Sequence, residues 1–487
     1  MITTFPQGFL WGGASSACQC EGGWDEGGKG MSVGDVITGG SRQITWHDKG
    51  DHEKKYSPVG AFWGDITIDA CGVPDTFEDE YYPSHKANDF YHRYKEDLKL
   101  FSEMGLKCYR MSMAWSRIFP HGDDETPSED GLAFYENVFK LCHEYDIEPV
   151  VTLSHYDLPL NLCVKYGGWK NRALIDLYVK YAETVMTRCK GLVTYWITFN
   201  EINSVIVENF KNAGMFENDD KSLAQAAHNQ FVASAKTVMK AREIDSNNRV
   251  GCMVAYTLSY PRTCNPADQI ASLFSKREYN FFLDVQAKGE YPYYKKREYE
   301  SKGITLEIED DDFDIIRKGT VDYISFSYYT TGLISVDKEG EEGDKLGPAN
   351  PYLKTNAWGW GVDPTGLRYA LNEVYDRYHK PVFIVENGYG NKDELVDGKV
   401  NDDVRIDYMR EHLSEIKKAI YEDGVDVMGC TTWGVVDCIS LGTGEMAKRY
   451  GLIYVDCDDY GHGSYKRYKK KSFDWYKHII ETNGGTL

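Results

Sequence analysis

Residues 193–203 read VTYWITFNEIN. A nearly continuous run of aromatic and β-branched residues ends abruptly in an amide and a carboxylate. Such runs mark strands buried on both faces, as in parallel sheets wrapped by helices. The same form recurs at 380–387, KPVFIVEN, which also ends on a carboxylate and an amide. Six further runs share it: FLWGGASSA from Phe9, KCYRMSMA from Lys107, EPVVTLSH from Glu148, RVGCMVAY from Arg249, VDYISFSYY from Val321 and DVMGCTTW from Asp426. Helical periods lie between them. Phe90, Tyr94, Leu98, Phe101 and Met104 form one stripe, and Met409, Leu413, Ile416 and Ile420 another, in a helix expected over 406–424 and stopped by Gly424. Eight strands alternating with helices predict an α/β fold, a single (β/α)8 TIM barrel spanning 1–487, with long βα loops.

Two stretches carry no regular pattern, roughly Gly34 to Pro83 and Asp337 to Pro364. Both are expected to be irregular loops at the rim that shapes a substrate cleft. A formal net charge of −21 argues against nucleic-acid binding. The short basic run of Lys466, Arg467, Lys469, Lys470 and Lys471 is expected to be a solvated face. No stretch approaches the roughly 18 apolar residues of a membrane span, and the N-terminus has no charged, then apolar, signal pattern. The twelve cysteines include no C-x-x-C pair. They suit a reduced, cytoplasmic chain without a metal site.

The strand ends carry the chemistry. In order they offer Gln19 with Glu21, Arg110, His155, Asn200 with Glu201, Tyr328, Glu386 with Asn387, and Trp433. Barrel enzymes place catalytic groups at these ends. Glu201 after strand four and Glu386 on strand seven face one mouth. Two carboxylates on one cavity suffice for glycoside hydrolysis without a cofactor or metal, one donating a proton and the other meeting the cationic sugar carbon. Arg110 and the Tyr328 hydroxyl would hold Glu386 ionised, while Glu201 is expected to bind its proton more tightly. Asn200 reaches a sugar hydroxyl, and a neutral His155 another. Each residue alone also has a plainer reading: a buried ion pair for either glutamate, a structural histidine, core packing for Tyr328 and Trp433.

The matching pieces FLWGGASSACQCEG (9–22), MSMAWSRIFP (111–120), TLSHYDLP (152–159), TFNEIN (198–203), VENG (385–388) and KRYGLIYVD (448–456) run in order over almost the whole chain. With them the sequence resembles glycoside hydrolase family 1. That resemblance implies a retaining β-glycosidase with Glu201 as acid/base and Glu386 as nucleophile. It also implies that Gln19, His155, Asn200 and Trp433 line the subsite of the cleaved sugar.

One departure sharpens the expectation. Ordinary β-glucosidases of the family follow the last tryptophan with a pattern like W-S-x-x-D-N-x-E-W, whose glutamate grips the sugar. Here the run is WGVVDCISL, with Ser440 in the place of that glutamate and Leu441 in the place of the tryptophan. Lys448 and Tyr450 follow. This resembles the 6-phospho-β-glucosidase branch, in which Ser, Lys and Tyr at these positions hold the 6-phosphate; Gly442 stands where some relatives carry a second polar side chain, which leaves its backbone N–H or another side chain to complete the site. The implied substrates are phosphorylated β-glucosides, such as cellobiose 6-phosphate or aryl 6-phospho-β-glucosides. Trp360 and Trp358 are expected to shape the aglycone side. An ordinary β-glucosidase, a 6-phospho-β-galactosidase and a non-catalytic sugar-phosphate binder are the alternatives. A homo-oligomer stays open.

Overall fold

The computed structural model describes residues 4–40, 42–58, 72–337 and 349–487. Its centre is a closed barrel of eight strands, each paired in parallel with its two neighbours. The strands are β1 (Leu10–Ala14), β2 (Cys108–Ser112), β3 (Glu148–Ser154), β4 (Tyr195–Phe199), β5 (Arg249–Ala255), β6 (Tyr323–Tyr328), β7 (Val382–Asn387) and β8 (Val427–Trp433). Each of the eight apolar runs contains one of them. Closure comes from β8 against β1, with Ala14 opposite Trp433, and β1 against β2, with Ala14 opposite Arg110. The close approach explains Gly12: a side chain there would run into Cys108 and Thr431.

Burial on both faces accounts for the unbroken apolar runs. Cys108, Val150, Ile197, Met253, Tyr323, Phe383 and Val385 point inward and fill the barrel as one cluster. Their neighbours point outward into the larger core beneath the helices. That outer ring comprises α1 (Phe90–Met104), α2 (Glu129–Glu144), α3 (Ala173–Arg188), α4 (Asp220–Ile244), α5 (Pro266–Lys288), α6 (Pro364–Tyr378), α7 (Asp403–Tyr421) and α8 (Lys471–Glu481). On α1 the expected stripe is the buried one, with Tyr94 half-buried at its edge. Helix α7 starts three residues before its expected start and ends at Tyr421, ahead of the left-handed Gly424. Among the described residues no helix is long and apolar enough to cross a membrane.

Two expectations are corrected. The stretch 34–83 is not wholly irregular: Gln43–Asp48 pairs antiparallel with Lys55–Pro58 and with Gly72–Pro74, a three-stranded sheet beyond β1. Residues 59–71 of that stretch, and 338–348 of the second, lie outside the described residues. In the second, Lys354–Thr355 pairs with Gly361–Val362 and closes a turn that carries Trp358 and Trp360.

The basic run near the C-terminus is a solvated face only in part: Lys466, Lys469 and Lys471 are exposed, whereas Arg467 and Lys470 are buried. Arg467 turns inward and donates two bonds of 2.8 Å to Asp97. Lys470 is fully buried, its ammonium 2.6 Å from Asp393 and 2.7 Å from Asp437. Asp437 also accepts from Arg449 at 2.9 Å. Arg449 thus points away from the barrel mouth and ties the base of the loop after β8 to the body of the protein.

Candidate active site

Strand β2 delivers Arg110 to the centre of the mouth, where its guanidinium is completely buried. Nη1 donates to Glu386 Oε1, Nη2 to Asn200 Oδ1 at 2.7 Å, and Nε to Thr152 Oγ1 at 3.0 Å. One planar fork therefore links strands β2, β3, β4 and β7 and fixes the positions of two predicted site residues. Glu386 lies at a break in register: β7 shifts against β6 between Phe326 and Ser327, and against β8 between Ile384 and Asn387. Such irregularities re-aim a side chain.

The second oxygen of Glu386 corrects a sequence expectation. Its donor is Tyr329, at 2.8 Å. Tyr328 faces outward, and its hydroxyl donates to the Asp363 carbonyl at 2.7 Å. Adjacent residues of a strand point to opposite faces, so the one-residue difference separates site from core. Tyr329→Phe is expected to lower kcat by about 10- to 100-fold, the loss of one hydrogen bond to a charged group. Tyr328→Phe is expected to change stability and leave kcat near wild type. Steady-state kinetics of the two variants, side by side, check this.

Glu201 follows β4 in a left-handed conformation, φ +40°. Ser327 donates to its Oε1 and Tyr156 to its Oε2, each at 2.5 Å. Neither hydroxyl was singled out from the sequence. Burial first, and then the negative charge of Glu386, push the Glu201 carboxyl up to about 7, against the pull of these two donors. Burial also raises the Glu386 carboxyl, but the Arg110 guanidinium and then the Tyr329 hydroxyl oppose it. One carboxyl has a cation bonded to it and the other faces a carboxylate. This asymmetry separates their proton affinities, as an acid paired with a nucleophile requires.

The remaining cavity wall holds Gln19, His155, Asn200, Trp360, Trp433, Ser440 and Tyr450 of the predicted set. Gln19 bridges to the loop after β8, its Nε2 donating to the Ile439 carbonyl at 2.6 Å. His155 stacks on Trp433 with ring centroids 5.8 Å apart. Burial, aided by Arg110, lowers its pKa well below the usual histidine value, so the ring is neutral and able to meet a hydroxyl. Lys448 is not part of the wall. Its buried ammonium lies 4.1 Å from the Trp360 ring centroid and 5.1 Å from that of Trp358. The turn at 356–360 holds both tryptophans there, with Asn356 Oδ1 accepting from the backbone N–H of each. Burial brings the Lys448 ammonium down to about 8. Beside Glu201 the wall continues with Ser204, Glu208, Lys211 and Tyr256, which the sequence reading did not identify.

Known proteins agree with this arrangement. The family model described as glycosyl hydrolase family 1 matches residues 1–56 and 66–485. An aryl-phospho-β-D-glucosidase (BglA) of Bacillus subtilis is 47% identical, the alignment covering 99% of each chain. A 6-phospho-β-glucosidase (AscB) of Escherichia coli is 46% identical over the full length of both. Among solved structures, a family 1 β-glucosidase from Thermotoga maritima superposes with a TM-score of 0.82 at 28% identity, covering 99% of this chain and 100% of that one. With its barrel, its paired carboxylates and a family match along nearly its whole length, this chain belongs to glycosyl hydrolase family 1.

Proposed function

We propose that this glycosidase is a retaining 6-phospho-β-glucosidase. The observation that carries the phosphate reading is the wall formed after β8. There Ser440, Leu441, Gly442 and Tyr450 face the cavity with no carboxylate among them, and the Lys448 ammonium is buried behind Trp360 and beside Tyr450. Relatives named as phospho-β-glucosidases at 45–47% identity over the full length support the gluco preference, and a 6-phospho-β-galactosidase of Clostridium acetobutylicum is 34% identical.

In this reading Glu386, held ionised by Arg110 and Tyr329, attacks the anomeric carbon while Glu201 gives its proton to the leaving oxygen. The glycosyl–Glu386 ester is then opened by a water whose proton returns to Glu201, and two inversions retain the configuration. The sugar stacks on Trp433, and Gln19, His155 and Asn200 take its hydroxyls. Trp360 stands where the aglycone leaves. We place the activity in the cytoplasm, on the support that the described cysteines are free thiols and nine of them are buried.

A phosphate recognised by Lys448 makes a pH signature. Below about 8 the ammonium is charged and binds the anion; above it, the free enzyme loses that charge. The affinity for glucose 6-phosphate is expected to weaken by about tenfold per pH unit above that point, the slope of a single titrating group. The affinity for glucose should stay flat. Lys448→Met should cost about 1.5–3 kcal/mol with glucose 6-phosphate and abolish its pH dependence. Isothermal titration of both sugars from pH 6 to pH 9.5 tests the proposal. Equal slopes for the two would remove its support.

A further inference from the structure

The acid/base of a double displacement must work in both protonation states, and the donors around Glu201 favour only one. Two hydroxyls donate to its carboxylate at 2.5 Å, which suits the ionised form. In the protonated form the oxygen that carries the proton is a weaker acceptor, and the donor facing it gains by turning to another partner. Ser204 supplies the alternative. Its Oγ lies 3.0 Å from the Tyr156 hydroxyl. It donates its single proton to the Glu201 carbonyl at 2.7 Å and accepts from Asn212 Nδ2 at 2.8 Å. Asn212 is oriented in turn by Gln230 Nε2, 3.1 Å from its Oδ1. A serine hydroxyl has one proton and two lone pairs. With the proton and one lone pair engaged, Ser204 has one lone pair left, and it faces Tyr156.

We propose that the Tyr156 hydroxyl is a two-position toggle that donates to Glu201 Oε2 when Glu201 is ionised and to Ser204 Oγ when Glu201 carries its proton. The Tyr156 and Ser204 hydroxyls each have an acceptor in both states, and the chain Gln230–Asn212–Ser204 is already polarised to accept. Tyr156 is held at φ +59°, a left-handed conformation rare for a bulky residue, which places its ring beside the acid/base. It is a positioning residue, acting through Glu201. The charged groups facing Glu201 are Glu386 on β7 and Glu208, which is ion-paired to Lys211 at 2.8 Å. Both carboxylates favour the protonated form, and Ser327 on β6 favours the ionised one. Tyr156 alone among these has a second partner through which to change sides.

The proposal rests on Glu201 being the acid/base, and the test separates the two. The readout is the pH profile of kcat/KM on an unphosphorylated aryl β-glucoside, where Lys448 has no anion to bind and the basic limb reports Glu201. Tyr156→Phe removes a donor to the carboxylate and is expected to move that limb up by about half to one pH unit. Ser204→Ala removes the alternative acceptor, leaves the Tyr156 proton on Glu201, and is expected to move the limb down by about half a unit. Opposite signs are the signature, since general loosening of the site would move both the same way. If Ser204→Ala does not fold, Ser204→Cys, a weaker acceptor, must give the same downward shift. Shifts of equal sign, or none, would overturn the toggle. A basic limb that survives in Glu201→Gln would instead overturn the acid/base assignment.

Discussion

Glu386→Gly is expected to hydrolyse its substrate about 10⁵-fold more slowly than wild type, on the scale seen when a nucleophile is removed. Added azide or formate should restore part of the rate. The physical reason lies in what the substitution leaves behind. Arg110 keeps its bonds to Asn200 and Thr152, so its guanidinium stays in place, and the Tyr329 hydroxyl still points at the vacated position. A small anion entering that space meets a cation and a donor already oriented, which lowers the cost of its capture. Attack from there inverts the anomeric carbon once. The azide product should therefore be the α-glycosyl azide, whereas the wild type releases the β-sugar after two inversions. Product stereochemistry by proton NMR decides it. No rescue, or a β-azide, would place the nucleophile elsewhere.

Ser440→Glu is the second large effect. It restores to the cavity wall a carboxylate of the kind that ordinary family members carry, beside the proposed phosphate position. Like unit charges about 4 Å apart at an effective dielectric of 20 repel by about 4 kcal/mol, which is roughly 10³-fold in rate. The variant should thus lose about 10³-fold of its preference for a phosphorylated over an unphosphorylated aryl glucoside. Because the comparison is a ratio within one variant, changes in folding or in the acid/base pair cancel. An unchanged ratio would show that the phosphate does not lie against Ser440.

The architecture was legible because burial on both faces writes itself into composition: a run such as VTYWITF has few other places to go. The two carboxylates were legible because both end such runs. What escaped the sequence depends on geometry of a finer grain. The choice of Tyr329 over Tyr328 turns on which face of β6 is the inner one, a phase that a run buried on both faces does not reveal. Tyr156 meets Glu201 with both residues in left-handed conformations, and nothing in SHYDLP or TFNEIN announces this. Arg467 and Lys470 read as surface charge because their counterions lie far away in sequence, Asp97 before β2 and Asp437 after β8. The small sheet within 34–83 escaped for a similar reason: its strands are short and rich in polar residues, and their pairing is decided by tertiary contact.

The most direct test of the account is kcat/KM on two matched aryl β-glucosides that differ only in a 6-phosphate. If Ser440, Lys448 and Tyr450 read that group, the phosphorylated substrate should be preferred by roughly 100-fold or more, the worth of one or two charge-assisted hydrogen bonds. Values within about threefold of each other, less than one such bond supplies, would contradict the account and leave an ordinary β-glucosidase.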